Sequence, residues 1–181
     1  MQTQSHPLDP FFHHEVRNIF EGRLGLNDQD VTGYVARLLC NFAEADSLFL
    51  VRGAGGHSID ELKAMSLAAD PVHGSAPSFD AERAMRKYIG DYALFVGGMV
   101  PEAIETSPGT HSPRRPTLGE LISAGKESYY IVSQFNVFEY KKEAPLFARL
   151  SEQFERYILG LALVREELGK RLSLPRQTSH G

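Results

Sequence analysis

The chain has 181 residues and a mass of 20.1 kDa, a length that suits one domain and buries enough surface to fold without a disulfide or a structural metal. Lysine and arginine number 19 and aspartate and glutamate 23, and the net charge of −4 argues against nucleic acid or an anionic membrane as the main partner. The single cysteine, Cys40, excludes an intramolecular disulfide and a multi-cysteine zinc site.

Apolar residues recur at three- and four-residue steps along nearly the whole chain. This pattern predicts an all-α bundle of about six helices, four of them long. One helical domain is expected over residues 1–173, with a proline-rich connection at 101–117 and a flexible tail at 174–181. The predicted helices cover residues 11–21, 28–45, 58–69, 78–100, 117–140 and a last segment that starts at Pro145.

Two capping boxes mark where helices begin. Ser58 with Glu61, and Thr117 with Glu120, place a hydroxyl and a carboxylate three residues apart, where each satisfies a free backbone N–H of the first turn. The stretch 129–140 is rich in aromatic and β-branched residues, so a strand is an alternative there. Helix is preferred because one apolar face continues through it.

The helix predicted over 78–100 carries several small residues on an otherwise apolar surface, which places it at the centre of the bundle. Interior glycine costs a helix up to about 1 kcal/mol against alanine, so Gly90, Gly97 and Gly98 need a compensating reason. Close approach of a neighbouring helix is the preferred explanation, and close approach of a ligand is the alternative.

Histidine and carboxylate side chains are the ligand types from which helical bundles build di-metal sites. Such sites use Glu-x-x-His pairs, and none occurs in this sequence. No metal or other cofactor is therefore expected. Under an alternative interpretation, a metal site would assemble from His13 or His14 together with His73, Glu82 and Asp91.

Asp91 interrupts an apolar stripe, and a buried carboxylate must be paired or protonated. The preferred interpretation is an ion pair with Arg83, Arg86 or Lys87 near the helix surface. The alternative is an acid that faces a cavity.

The remaining motifs favour structural roles, and no catalytic signature appears. The glycine-rich turn at 53–56 lacks the third glycine of a dinucleotide-binding turn and is interpreted as a connection between helices. Cys40 is interpreted as a buried, inert thiol, and Arg114 and Arg115 as solvated loop residues. Four tyrosines are interpreted as core or interface residues, with a pocket lining as the alternative: Tyr129, Tyr130, Tyr140 and Tyr157.

The segment YIGDYALFVGGMVPE, residues 88–102, is followed by a tyrosine-containing helix at 125–130. This arrangement resembles an uncharacterised family of all-helical bacterial proteins over the middle third of the chain. The resemblance implies a helical fold with a packing centre at 90–98. It implies no catalytic residue, because no activity is assigned to that family.

These observations favour a non-enzymatic helical interaction module in the cytoplasm, which acts by binding a protein partner or a second copy of itself. No apolar run is long enough for a membrane span and no secretory signal is visible, so neither membrane nor nucleic acid is expected as a partner. The alternative is a bundle that binds a metal or a small ligand, including a di-metal oxidoreductase. A third interpretation, an apolar ligand between helices, requires a closed cavity beside Gly97 and Gly98.

Overall fold

The computed structural model of the protein describes residues 7–43, 56–70, 72, 74–75, 77–107 and 113–173. These residues form seven α-helices and no strand, so the prediction of an all-α fold is confirmed for the described part of the chain. The predicted tail at 174–181 lies outside it. The helices are α1 Asp9–Arg17, α2 Gln29–Ala43, α3 Ile59–Ala68, α4 Phe79–Met99, α5 Leu118–Gln134, α6 Ala144–Glu152 and α7 Phe154–Ser173.

Three short helical segments join these elements. A π-helix, Asn18–Arg23, continues α1, and 3-10 helices at Pro101–Ala103 and Phe138–Lys142 follow α4 and α5. Glu105 and Thr117 form an isolated bridge across the proline-rich connection. None of the described helices combines the length and the apolar character that a bilayer crossing requires.

Both predicted capping boxes are present. The Ser58 hydroxyl accepts from the Glu61 backbone N–H at 3.2 Å, and the Glu61 carboxylate accepts from the Ser58 N–H at 2.7 Å. At α5 the corresponding distances between Thr117 and Glu120 are 3.3 and 2.9 Å. The two helices therefore begin where the sequence predicts, because the side chains satisfy N–H groups that the helix leaves free.

The described residues form seven α-helices where about six were predicted, and the predicted boundaries differ most from the structure at two places. The helix predicted to reach residue 140 ends at Gln134, because Phe135 and Asn136 leave helical geometry and Phe138 has a positive φ of 48°. The helix predicted from Pro145 is divided at Gln153, whose φ of −111° and ψ of 24° are not helical. This division lets α6 pack on α5 while α7 packs on α4.

One cluster of buried apolar side chains takes members from all seven helices. Helix α4 lies at its centre, as predicted, and packs mainly against α5 and α7. A Cβ at Gly90 would lie 2.4 Å from the ring of Tyr129, and one at Gly98 would lie 2.3 Å from the Cβ of Leu161. Side chains of neighbouring helices therefore fill the space beside the glycines, and Ile158 occupies the position facing Gly97 in the same way.

Candidate functional site

An open cleft of about 1060 Å³ lies against α2, the middle of α4 and the start of α6. Polar and apolar surface line it in similar amounts, and the lining includes Asp9 of α1. Lys87 and Asp91 of this lining stand one turn apart on α4, and the Asp91 side chain is largely buried.

Asp91 accepts hydrogen bonds from three side chains. The Tyr129 hydroxyl donates to its Oδ1 at 2.7 Å, and the Tyr34 hydroxyl donates to the same oxygen. The Lys87 ammonium donates to Oδ2 at 2.8 Å and lies 5.2 Å from the centre of the Tyr34 ring. We call Tyr34, Lys87, Asp91 and Tyr129 the Asp91 cluster.

Three helices supply the Asp91 cluster, and Gly90 makes it possible. Tyr34 comes from α2, Lys87 and Asp91 from α4, and Tyr129 from α5. The absence of a side chain at Gly90 leaves room for the Tyr129 ring, so the phenol reaches the neighbouring carboxylate. Tyr129 is fully buried, and the Asp91 side chain is 15% exposed on the cleft side.

The surroundings hold both phenols in their neutral form. Burial raises the pKa of Tyr129 well above its usual value, and the negative charge of Asp91 raises it further. The pKa of Tyr34 is raised for the same two reasons, in the same order. The phenols therefore act as fixed hydrogen-bond donors and not as bases.

The described candidate metal ligands of the alternative interpretation lie on two helices, α1 and α4. His13 and His14 are exposed on α1, and the His14 ring lies 3.0 Å from the Asn18 amide. Glu82 is buried on α4, where burial raises its pKa. His73 lies outside the described residues, and among those described no three His, Cys, Asp or Glu side chains come close enough to hold a metal ion.

Asp91 combines the two interpretations that the sequence left open. It forms the predicted ion pair, with Lys87, and it also faces a cleft. Arg83 instead pairs with Glu143 at 2.6 Å. The Nε and Nη1 atoms of the buried Arg86 have no hydrogen-bond partner among the described residues.

The Arg114–Arg115 pair is held in place, although the sequence favours solvated side chains there. Arg114 donates two hydrogen bonds to Glu120, at 2.9 and 2.5 Å, and Arg115 donates to the backbone carbonyl of Glu102. The hydrogen bonds from Arg114 lower the pKa of Glu120 to about 2. These contacts tie the end of the proline-rich connection to the first turn of α5.

Other predicted features also have structural roles. Cys40 is buried, with its Sγ 3.8 Å from Asp9 Oδ1. Residues 53–55 of the glycine-rich turn lie outside the described part of the chain. The four tyrosines singled out in the sequence do not share one pocket: Tyr129 joins the Asp91 cluster, Tyr130 is 58% exposed, Tyr140 bonds Asp80, and Tyr157 stacks on Phe20.

Sequence reasoning missed Tyr34. A signal for it exists, because Tyr34 lies on the apolar face of α2 and a buried tyrosine hydroxyl needs a partner. Asp91 was the one acid recognised on the apolar stripe of α4. A tyrosine and an acid that both lie on apolar helix faces suggest the pair of Tyr34 and Asp91. They do not suggest that Tyr129 donates to the same carboxylate oxygen.

A second surface stands out for its exposed apolar side chains. Phe79 is 72% exposed, Val137 55% and Phe138 88%, and we call these three residues the apolar patch. The Tyr140 hydroxyl donates to Asp80 Oδ1 at 2.7 Å, which fixes the 3-10 helix beside the start of α4. Phe138 is also the one non-glycine residue with positive φ among those described.

Comparison of the chain with protein-family models, with curated proteins and with solved structures finds no match. The resemblance of residues 88–102 to a helical bacterial family therefore stays a prediction.

Proposed function

We propose that the protein is a non-enzymatic interaction module that assembles with a second copy of itself through the apolar patch. The observation that carries this proposal is Phe138, which combines 88% exposure with a φ of 48°. Left-handed backbone costs a residue with a Cβ about 1–2 kcal/mol. A bulky side chain at such a position is an outlier, and such outliers cluster at functional sites.

No contact among the described residues of the isolated chain offsets that cost. The Phe138 side chain is almost fully in water, so it adds little to the core, and glycine would fit the same backbone without strain. Burial against a partner would repay it, since burying a phenylalanine side chain contributes about 1.5–3 kcal/mol. Phe79 and Val137 enlarge the area that such a partner would cover.

The charges around the apolar patch favour a second copy as the partner. Glu139 and Lys141 are both exposed and lie within three residues of Phe138. A two-fold interface brings the same surface of each copy together, so it requires a rim that is complementary to itself. Carboxylate and ammonium groups side by side satisfy that requirement, whereas a strongly acidic or basic partner would meet like charge.

Mass in solution tests the proposal. We expect sedimentation velocity of the full chain to show a mass that rises with concentration from one chain to two. Phe138→Asp buries a charge in each half of the interface, and the loss of two phenylalanine contacts, about 3–6 kcal/mol in total, weakens assembly at least about a hundredfold.

The matched control is Leu159→Asp, because Leu159 is a 53% exposed apolar residue on α7 outside the apolar patch. This variant is expected to assemble as the wild-type chain does. A wild-type chain that stays monomeric at all concentrations, or equal weakening by both variants, would contradict the proposal. Stoichiometric iron, manganese or zinc in untagged protein would contradict the non-enzymatic assignment and favour the metal-binding alternative.

A further inference from the structure

The cleft beside the Asp91 cluster has the size of a small-molecule site. Its volume of about 1060 Å³ lies just above the range of about 300–1,000 Å³ that such sites occupy. It is open to solvent, and residues of α1, α2, α4, α6 and the segment before α6 line it. A metabolite-sized molecule therefore fits it better than a single inorganic ion does.

The acidic side chains that line the cleft already have partners within the protein. Asp91 takes Lys87 and two phenols, and its charge is thereby satisfied on both oxygens. Two other acids of the lining form ion pairs, Glu143 with Arg83 at 2.6 Å and Asp30 with Arg149 at 3.4 Å. Asp9 accepts a hydrogen bond from the Cys40 thiol at 3.8 Å.

Two cations of the same lining have no carboxylate partner among the residues that the structure describes. Arg37, on α2, and Lys142, just before α6, are exposed, and neither forms an ion pair with a carboxylate in the part of the chain that the structure describes. Lys87 adds free donors, because an ammonium has three donors and Asp91 is its one hydrogen-bond acceptor there. Four acidic and four basic side chains line the cleft, so its charges balance overall, and Arg37 and Lys142 are the two cations of the lining that no described carboxylate neutralises.

We propose that this cleft binds a small organic anion, and that Arg37 and Lys142 hold its carboxylate or phosphate groups. The planar guanidinium of Arg37 presents paired N–H groups that match either group, and Lys142 supplies a second, more mobile positive charge. The hydrogen bonds of the Asp91 cluster are already made, so its side chains need no rearrangement when the anion enters.

Calorimetric titration of the full chain tests the proposal, with citrate, inorganic phosphate and neutral glucose as probes at one ionic strength. We expect saturable binding of citrate or of phosphate at up to millimolar concentration, and none of glucose. Binding of citrate alone identifies carboxylate recognition, and binding of phosphate alone identifies phosphate recognition. Arg37→Gln and Lys142→Gln should each raise the dissociation constant at least about tenfold, because each removes a charge-assisted contact.

Two variants serve as controls. Lys63→Gln removes the same charge from an exposed lysine of α3 that does not line the cleft, and it should leave binding unchanged. Phe79→Ser separates this proposal from self-assembly, since Phe79 belongs to the apolar patch but lies on α4 and not in the 3-10 helix that carries Lys142, and it should also leave anion binding unchanged. The proposal is overturned if neither anion binds saturably, if glucose binds equally well, or if Lys63→Gln weakens binding as much as Arg37→Gln.

Discussion

Replacing Tyr129 by phenylalanine removes one hydroxyl from the Asp91 cluster and keeps the buried ring. At neutral pH, we expect the free energy of unfolding to fall by about 1.5 kcal/mol, the lower end of the range for a hydrogen bond to a charged group, because Tyr34 and Lys87 still serve Asp91. For a domain of this size, that loss lowers the melting temperature by about 3–6 °C.

The stronger prediction concerns alkaline pH. Up to a pH of about 10 the phenol of Tyr129 is protonated in the folded and the unfolded chain alike. Above that pH the unfolded chain releases the proton, while the folded chain keeps it because burial and Asp91 raise the pKa. The phenol therefore makes the free energy of unfolding fall by about 1.4 kcal/mol for each further pH unit.

Tyr129→Phe should remove this contribution. Above about pH 10, the free energy of unfolding of the variant should therefore fall less steeply with pH than that of the wild-type chain, and the two slopes should differ by about 1.4 kcal/mol per pH unit. Tyr34→Phe should reduce the slope in the same way, since the pKa of Tyr34 is also raised. Urea unfolding followed by circular dichroism, at a series of pH values on both sides of about pH 10, measures the slope.

Tyr130→Phe is the matched control, because Tyr130 is the next residue of α5 and is 58% exposed. It should leave both the neutral stability and the alkaline slope as in the wild-type chain. If Tyr129→Phe keeps the wild-type slope, or if Tyr130→Phe changes the slope equally, the reasoning about the Asp91 cluster is refuted.

Three further predictions concern stability. Gly98→Ala should lower the free energy of unfolding, measured by urea unfolding, by about 1–2 kcal/mol, because the new Cβ overlaps the opposing helix. Gly119 has open space around it, so Gly119→Ala should raise the free energy of unfolding by up to about 1 kcal/mol. Because the pKa of Glu120 is lowered in the folded chain, its carboxylate stabilises the fold above about pH 4.5, and this stabilisation is lost as pH falls toward 2. When stability is measured against pH, the acid-induced loss of unfolding free energy should therefore be smaller in Glu120→Gln than in the wild-type chain, by about 1–2 kcal/mol. Phe138→Gly should raise the stability of the dissociated chain by up to about 1 kcal/mol in thermal unfolding at low concentration, because relief of backbone strain outweighs the entropy cost of glycine; a lower stability would contradict the strain.

Local chemistry made the helix starts predictable. Ser58 and Thr117 are each followed by glutamate at the third position, and the bonds that define those caps involve residues within one turn. The end of α5 was less visible, because residues 135–140 continue the apolar periodicity while the backbone has already left the helix. The division at Gln153 carries no glycine or proline signal and follows from long-range packing.

The candidate sites depend on contacts that periodicity does not encode. Tyr34, Asp91 and Tyr129 are up to 95 positions apart in the numbering of the chain, and each one alone is an ordinary inward-facing residue. Their meeting depends on which helices are neighbours, and the sequence does not give that order. The exposure of Phe138 was likewise invisible, because its place on the predicted apolar face suggested burial.

The glycines of α4 and the helices around it have a consequence for comparisons between related sequences. Positions 90, 97, 98, 125 and 160 each face a side-chain atom of another element at 2.1–2.8 Å from where a Cβ would stand. Selection on folding alone would hold them fixed in any descendant that keeps these helix contacts. A glycine that is invariant at these positions among related sequences would thus reflect the close distance between helices. The fold does not require particular residues at Arg37, Lys142 and Phe138, so invariance at those three positions would indicate a functional role.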